Sequence, residues 1–172
     1  MKQLSFLIII SILFSACSTR GIHTYNSKKA TQLKKYNKQN FTHVVQDENE
    51  RSTLLYKEYV KWRNTPYSYG GDERKYGVDC SSFIQQAYYG AFKIAVPRTT
   101  RQQASFGQKI TKSQLKVGDM VFFRTGYNKR HVGIIIEKGK FVHTSTKNGV
   151  TISKLDNSYW KRKYWQSRRF LP

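Results

Sequence analysis

Apolar and polar positions divide the chain into three regimes. After a short positive start, Met1-Lys2-Gln3, residues 4–14 form an apolar run broken only by Ser5 and Ser11. Residues 18–51 are polar and basic, with isolated apolar residues such as Tyr25, Leu33, Tyr36 and Phe41. From Ser52 onward the apolar positions become periodic. Leu55, Tyr59 and Trp62 fall at i, i+4 and i+7 and predict a short helix, closed by Thr65-Pro66. Asp79 suits an N-cap. Phe83 with Ala87 and Ile84 with Tyr88 continue from it at helical spacing, with Gly90 as the expected stop. Thr99 is placed to cap a further short helix reaching Phe106, with Gly107 at its end.

The second half changes period. Segments 119–124, 131–137, 140–144 and 149–154 are rich in Val, Ile, Phe and Thr and predict strands. Glu137-Lys138-Gly139-Lys140 is a hairpin-turn candidate. Residues 156–161 suit one helical turn and 164–171 a last strand. Helices first and strands after, joined by tight turns, predict an α+β domain over 52–172 with an antiparallel sheet.

The N-terminus changes what the charge means. The chain of 172 residues carries a net charge of +21, which by itself invites nucleic acid, an anionic membrane or an acidic polymer as partner. The apolar run ends in small residues, Ser15-Ala16-Cys17, and is too short to span a bilayer. Residues 1–16 therefore read as a secretory signal peptide. Leu13-Phe14-Ser15-Ala16-Cys17 also looks like a bacterial lipobox, although Phe14 stands where such sites prefer leucine. The resemblance implies cleavage before Cys17, which would then carry fatty acyl chains such as palmitate. Residues 17–51, with Lys28-Lys29, Lys34-Lys35 and Lys38, read as a basic tether lying near an anionic membrane, with His23 and His43 solvated. Export removes nucleic acid as a partner. The expected location is an exported, membrane-anchored lipoprotein, on the periplasmic side of the outer membrane in a Gram-negative source.

Export also sharpens the cysteine count. There are two cysteines, and acylation of Cys17 would leave Cys80 without a disulfide partner. Cys80 falls on the first turn of its helix, where free N–H groups and the helix dipole favour a thiolate. Packing as a small hydrophobe is the alternative. A lone thiol kept in an exported protein argues for use as a nucleophile.

The motifs then carry a resemblance. Tyr67-x-x-Gly70-Gly71, Asp79-Cys80-Ser81-x-Phe83, Pro97-Arg98-Thr99, Gly118-Asp119-x-Val121-Phe122-Phe123, His131-Val132-Gly133-Ile134 and Phe141-Val142-His143 occur in that order. Together they resemble the NlpC-type bacterial cell-wall peptidases, over about residue 52 to the C-terminus. The resemblance implies a papain-like fold, no cofactor, and hydrolysis of amide bonds in the stem peptides of peptidoglycan. Two departures stand out. Ser82 replaces a usual glycine, and the charged loop 72–76 alters the expected rim of the pocket.

Chemistry assigns the roles. Cys80 is the expected nucleophile, and His131 the base that takes its proton and later protonates the leaving amine. His143 is expected to orient His131. The Cys80 N–H is one oxyanion donor, and the resemblance implies the Tyr67 hydroxyl as the second. Asp79 and Ser81 resemble residues that meet the amine end of a substrate. Arg98 suits a substrate carboxylate and, equally, a structural ion pair. Each histidine alone reads as an ordinary strand residue; beside Cys80 the pair reads as catalytic. A zinc site built from Cys80, His131 and His143 is a rival, although no ligand pair is closely spaced. A non-catalytic wall-binding lipoprotein on the same fold is another, and a transpeptidase using the same thioester chemistry is a third.

One geometric demand follows. A plain two-residue turn at Lys138-Gly139 pairs Ile134 with His143 and puts the two histidines on opposite faces. A relay between them requires a bulge or a sharp local twist.

Overall fold

In a computed structural model of the protein, which describes residues 47–171, the first helix, α1, spans Glu48–Trp62. The expected signal peptide, Cys17 and the tether up to residue 46 lie outside the described residues. Helix α1 starts ahead of the expected domain boundary at Ser52. The Asp47 carboxylate accepts from the Asn49 N–H at 2.8 Å, and Glu48 and Glu50 sit in the first turn, where the helix dipole favours negative charge. A polar stretch that reads as tether therefore contains a capped helix start. Leu55 and Trp62 are buried as expected, and Arg51 and Glu58 join them.

Helix α2 spans Cys80–Phe92. Asp79 caps it, its carboxylate accepting from the Ser82 N–H at 2.8 Å. Phe83, Ile84, Ala87, Tyr88 and Phe92 are buried along one face. Gly90 does not stop the helix. Lys93 does, in the left-handed conformation at φ 56°, its N–H bonding the Tyr89 carbonyl. Gly90 instead lets α1 approach, because a side chain there would collide with the Glu58 carboxylate.

After α2 comes the short helix α3, Thr100–Gln103, capped by Thr99 as expected and ending before Phe106. The strands are β1 Asp72–Glu73, β2 Gly77–Val78, β3 Gln108–Ile110, β4 Met120–Gly126, β5 Lys129–Glu137, β6 Lys140–Ser145, β7 Gly149–Lys154 and β8 Tyr164–Arg169, with helix α4, Ser158–Lys163, before β8. Strands β1 and β2 form a small hairpin, so the charged loop 72–76 is partly ordered as strand. The other six strands form one antiparallel sheet in the order β3-β8-β4-β5-β6-β7.

Both faces of this sheet are covered. Met120, Phe122, Val132, Ile134 and Val142 pack under α1 and α2. Val121, Phe123, Ile135 and Phe141 pack on the other face with Leu155, Trp160 and Tyr164. That explains why the central strands read as near-continuous apolar runs rather than alternating ones.

Candidate active site

Two glycines shape the loop that leads to Cys80. A side chain at Gly71 would strike the Gly77 carbonyl, and Gly77 itself has φ +104°. The close approach lets Val78 bond the Pro66 carbonyl at 3.0 Å and Asp79 bond the Gly71 carbonyl at 3.1 Å. Tyr67, bridged to Val78, is thereby held next to the start of α2.

The β5–β6 ladder opens the site. Its partners are Ile134↔Val142, Ile135↔Phe141 and Glu137↔Lys140, so Ile136 is an extra, bulged residue. The Ile136 carbonyl accepts from the Ser52 hydroxyl at 2.7 Å. The bulge shifts the register by one residue, bringing Gly133 rather than Ile134 level with His143. His131 and His143 therefore share a face, as a relay requires. Their rings meet directly, with Nε2 of His131 3.0 Å from Nδ1 of His143. The other ring nitrogen of His143 lies 2.8 Å from Ser153 Oγ.

The ladder does not extend past Ile134 and Val142 toward the two histidines. Cys80 sits beside that end of β5. Its sulfur receives backbone hydrogen bonds from Val132, the residue after His131, and from Ser81, and lies 3.5 Å from Thr100 Oγ1. The thiol thus bonds a hydroxyl rather than an imidazole. Nδ1 of His131 has no hydrogen-bond partner among the described residues.

The electrostatics differ in one respect from the expectation of a favoured thiolate. Cys80 is 8% exposed, and burial pushes its thiol above the ordinary value. The Thr100 hydroxyl and the Val132 and Ser81 N–H groups pull the other way without reversing the shift, and the Asp79 charge adds to the rise. Desolvation outweighs the helix terminus here. The histidines are also held neutral. Burial lowers His131 to about 4; burial and then the neighbouring His131 lower His143 to about 2. Trp160 of α4 covers both rings. Its indole stacks on His131 at 5.3 Å between centroids and meets the edge of His143 at 4.9 Å. Phe123 and Phe141 complete the apolar surround.

A neutral pair has one hydrogen-bonding arrangement that leaves His131 able to accept a proton at Nδ1. His131 donates from Nε2 to His143 Nδ1, and His143 donates from Nε2 to Ser153 Oγ.

The Tyr67 hydroxyl is held above its ordinary pKa, first by burial and then by the nearby Cys80 and Asp79, so it keeps a proton to donate. Burial raises the Asp79 carboxyl, but Arg98, the Ser82 N–H and the Ser81 hydroxyl together hold it below the usual range. Ser81 Oγ donates to Asp79 at 2.8 Å. The terminal nitrogens of Arg98 bond both Asp79 oxygens, Ser81 Oγ and the carbonyls of Gly70 and Gly71. The structural ion pair to Asp79 is therefore present, made through the two terminal nitrogens of Arg98, while its Nε bonds none of these groups. Ser82, in place of the usual glycine, is buried with an unpartnered hydroxyl. Among the described residues, no three His, Cys, Asp or Glu side chains are grouped to hold a metal ion.

Ser153, Thr100 and Trp160 are absent from the sequence reading. Ser153 pairs with Phe141 and lies one side-chain step from the partner of His143, so strand alternation marks it once the β6–β7 register is known. Trp160 sits in a basic segment that reads only as a helical turn, and nothing local marks it.

The neutral histidines carry a stability consequence. An unfolded histidine binds its proton near pH 6.5, whereas the folded pair refuses protons down to about 4 and about 2. Their contribution is therefore full above about pH 6.5 and is lost as pH falls through the interval below it. Thermal unfolding of the chain is expected at a falling Tm between about pH 7 and about pH 4.5, with a shallower slope in His143→Gln. Equal slopes would show that His143 does not carry the linkage.

Comparison with known proteins places this arrangement. Residues 64–169 match the NlpC/P60 family. Over 170 residues the chain is 35% identical to the murein DD-endopeptidase MepS/murein LD-carboxypeptidase of Escherichia coli, covering 95% of this chain and 89% of that protein. Over 110 residues it is 49% identical to the probable endopeptidase NlpC of the same organism, covering 63% of this chain and 71% of that one. Among solved structures, an NLP/P60 family protein described as similar to lipoprotein, from Staphylococcus aureus, superposes with a TM-score of 0.66 at 28% identity. The match covers 76% of this chain and 45% of that structure, so the chain spans less than half of that protein's length. The helices-on-antiparallel-sheet architecture is the papain-like one that the motifs implied.

Proposed function

Since the chain belongs to the NlpC/P60 family, we propose that it is a peptidoglycan endopeptidase that cuts an amide bond in cell-wall stem peptides with Cys80, His131 and His143. The observation that carries this reading is the open end of the β5–β6 ladder. There the Cys80 thiol, at a helix N-terminus, lies against Val132, and the preceding residue, His131, is hydrogen-bonded to His143.

In the free protein the thiol is protonated and both imidazoles are neutral. On substrate binding the thiol leaves Thr100, and His131 Nδ1 takes its proton. The resulting thiolate attacks the amide carbon. The Cys80 N–H and the Tyr67 hydroxyl donate to the oxyanion. The imidazolium keeps its second proton on Nε2, bonded to His143 Nδ1, and returns the first to the leaving amine. Water, deprotonated by the same imidazole, then hydrolyses the thioester and restores the thiol. Asp79, already neutralised by Arg98, with Ser81 forms the rim nearest the nucleophile.

Digestion of purified peptidoglycan is expected to release peptide fragments identifiable by mass spectrometry, with release falling as salt rises, because the net charge of +21 helps encounter with a carboxylate-rich polymer. Unchanged muropeptide masses after prolonged digestion would remove the peptidase reading. Chelator-sensitive, alkylation-insensitive release would instead favour the zinc alternative.

The lipobox-like Cys17 and the lysine-rich tether support a membrane anchor as part of the same proposal, since one acyl chain alone binds reversibly and basic charge adds to it. Cys17→Ala is expected to move the protein to the soluble exported fraction. Persistent pelleting of that variant with membranes after a high-salt wash would rule out a lipid anchor.

A further inference from the structure

We propose that Arg124 and Arg130, stacked on Trp165, form a subsite for a carboxylate of the peptide substrate, one or two residues from the bond that is cut. The proposal rests on the peptidase reading above and adds the residues that select an anionic peptide.

The two arginines stand directly opposite each other in the β4–β5 register. Like charges in that position destabilise a sheet unless something neutralises them. Among the described residues nothing does. Arg98 and Arg169 each meet an aspartate, whereas Arg124 and Arg130 meet no carboxylate, and the Nε of Arg130 is buried without a partner. Both guanidinium groups lie over one indole, 4.7 Å and 5.4 Å from the centroid of Trp165. An aromatic face holds guanidinium planes in place while leaving their N–H edges free.

Trp165 is aimed there by a break in the sheet. Pairing between β4 and β8 steps from Phe122↔Gln166 to Phe123↔Tyr164, so Trp165 is the extra residue of a bulge. Its ring packs on the sheet face that carries α2. Alternation along β5 puts Arg130 on that same face, one side-chain step from Val132, whose N–H meets the Cys80 sulfur. Two residues of strand span about 7 Å. An extended peptide covers the same distance in about two residues. The neighbouring Gln166 bonds the Ala104 carbonyl at 2.9 Å, at the end of α3 opposite Thr100, the residue that touches Cys80. Cys80, α3 and the arginine pair therefore lie along one side of the sheet. Arg124 is exposed, so a ligand can reach it. Paired forks of N–H donors match a carboxylate bidentately.

The test uses calorimetric binding to the full chain carrying Cys80→Ala, with a cross-linked stem-peptide dimer as probe, its carboxylates either free or amidated. The free form is expected to bind about tenfold or more tightly than the amidated form. Adding Arg124→Gln and Arg130→Gln together is expected to erase that preference and leave the amidated form unaffected, with Arg130→Lys retaining part of it. Equal binding of both forms by the Cys80→Ala chain, or equal loss of both in the arginine variant, would overturn the subsite. So would a loss confined to whole peptidoglycan with peptide binding unchanged, since the arginines would then serve only the polymer's general charge. The two readings fail separately. Carboxylate-dependent binding without cleavage by the unmutated chain removes the peptidase and keeps the subsite; cleavage with carboxylate-blind binding does the reverse.

Discussion

Cys80→Ala is expected to abolish cleavage of stem peptides, a loss on the order of 10⁴-fold or more, because it removes the thiol that forms the acyl intermediate. The fold should survive. Cys80 is buried at the mouth of the core, and removing its sulfur costs about 1 kcal/mol in packing. Cys80→Ser should rescue little, since a hydroxyl is far harder to deprotonate beside an imidazole whose basicity is lowered to about 4. The raised thiol adds a second, independent readout. Alkylation of the free protein should be slow at neutral pH and accelerate as pH rises toward the thiol's pKa. Rates of peptide turnover and of alkylation, each measured on protein with a native circular dichroism spectrum, check both statements. Cleavage by Cys80→Ala at the unmutated rate would remove the cysteine mechanism altogether.

The second large effect concerns the imidazole pair. His131→Ala is expected to lose nearly all turnover, because it removes the group that takes the thiol proton. His143→Ala should lose about 10²-fold or more, by the logic of groups that orient a base. His143→Gln should lie well above His143→Ala, because its amide oxygen can still accept from His131 Nε2. Ser153→Ala should fall nearer the unmutated rate, since Ser153 only fixes the tautomer of His143 across the 2.8 Å contact. The measurement is turnover of one stem-peptide substrate across the four variants. Complete and equal loss in both position-143 variants would point to a direct role in the chemistry. Unmutated rates in both would place the orienting group elsewhere.

Much of this was legible without coordinates, for local reasons. The α2 cap at Asp79, the burial of Phe83, Ile84, Ala87 and Tyr88, the strand at Gly149–Lys154 and the turn at Lys138-Gly139 depend on propensity, capping and periodicity, which are carried by residues near in sequence. The start of α1 was also written locally, in Asp47, Glu48 and Glu50, but the surrounding lysines and polar residues hid it. Gly90 misled because its conformational freedom is not what the chain uses. It is needed for the space it leaves to Glu58, which is 32 positions away.

The rest depends on partners far apart in the chain. The sequence alone placed a thiol on a helix N-terminus and two histidines on neighbouring strands, and it required a bulge if those histidines were to meet. Which residue bulges was decided by the packed sheet: Ile136, with its freed carbonyl taken up by Ser52 of α1. The charge states were decided there too. A helix terminus favours a thiolate, but desolvation scales with how completely the surrounding elements exclude water, and α2, β5 and α3 meet only in the folded protein. The same holds for Trp160 over the histidines and for Arg124 and Arg130 across Trp165. Burial and register are properties of the assembled sheet, so no pattern within a single segment can report them.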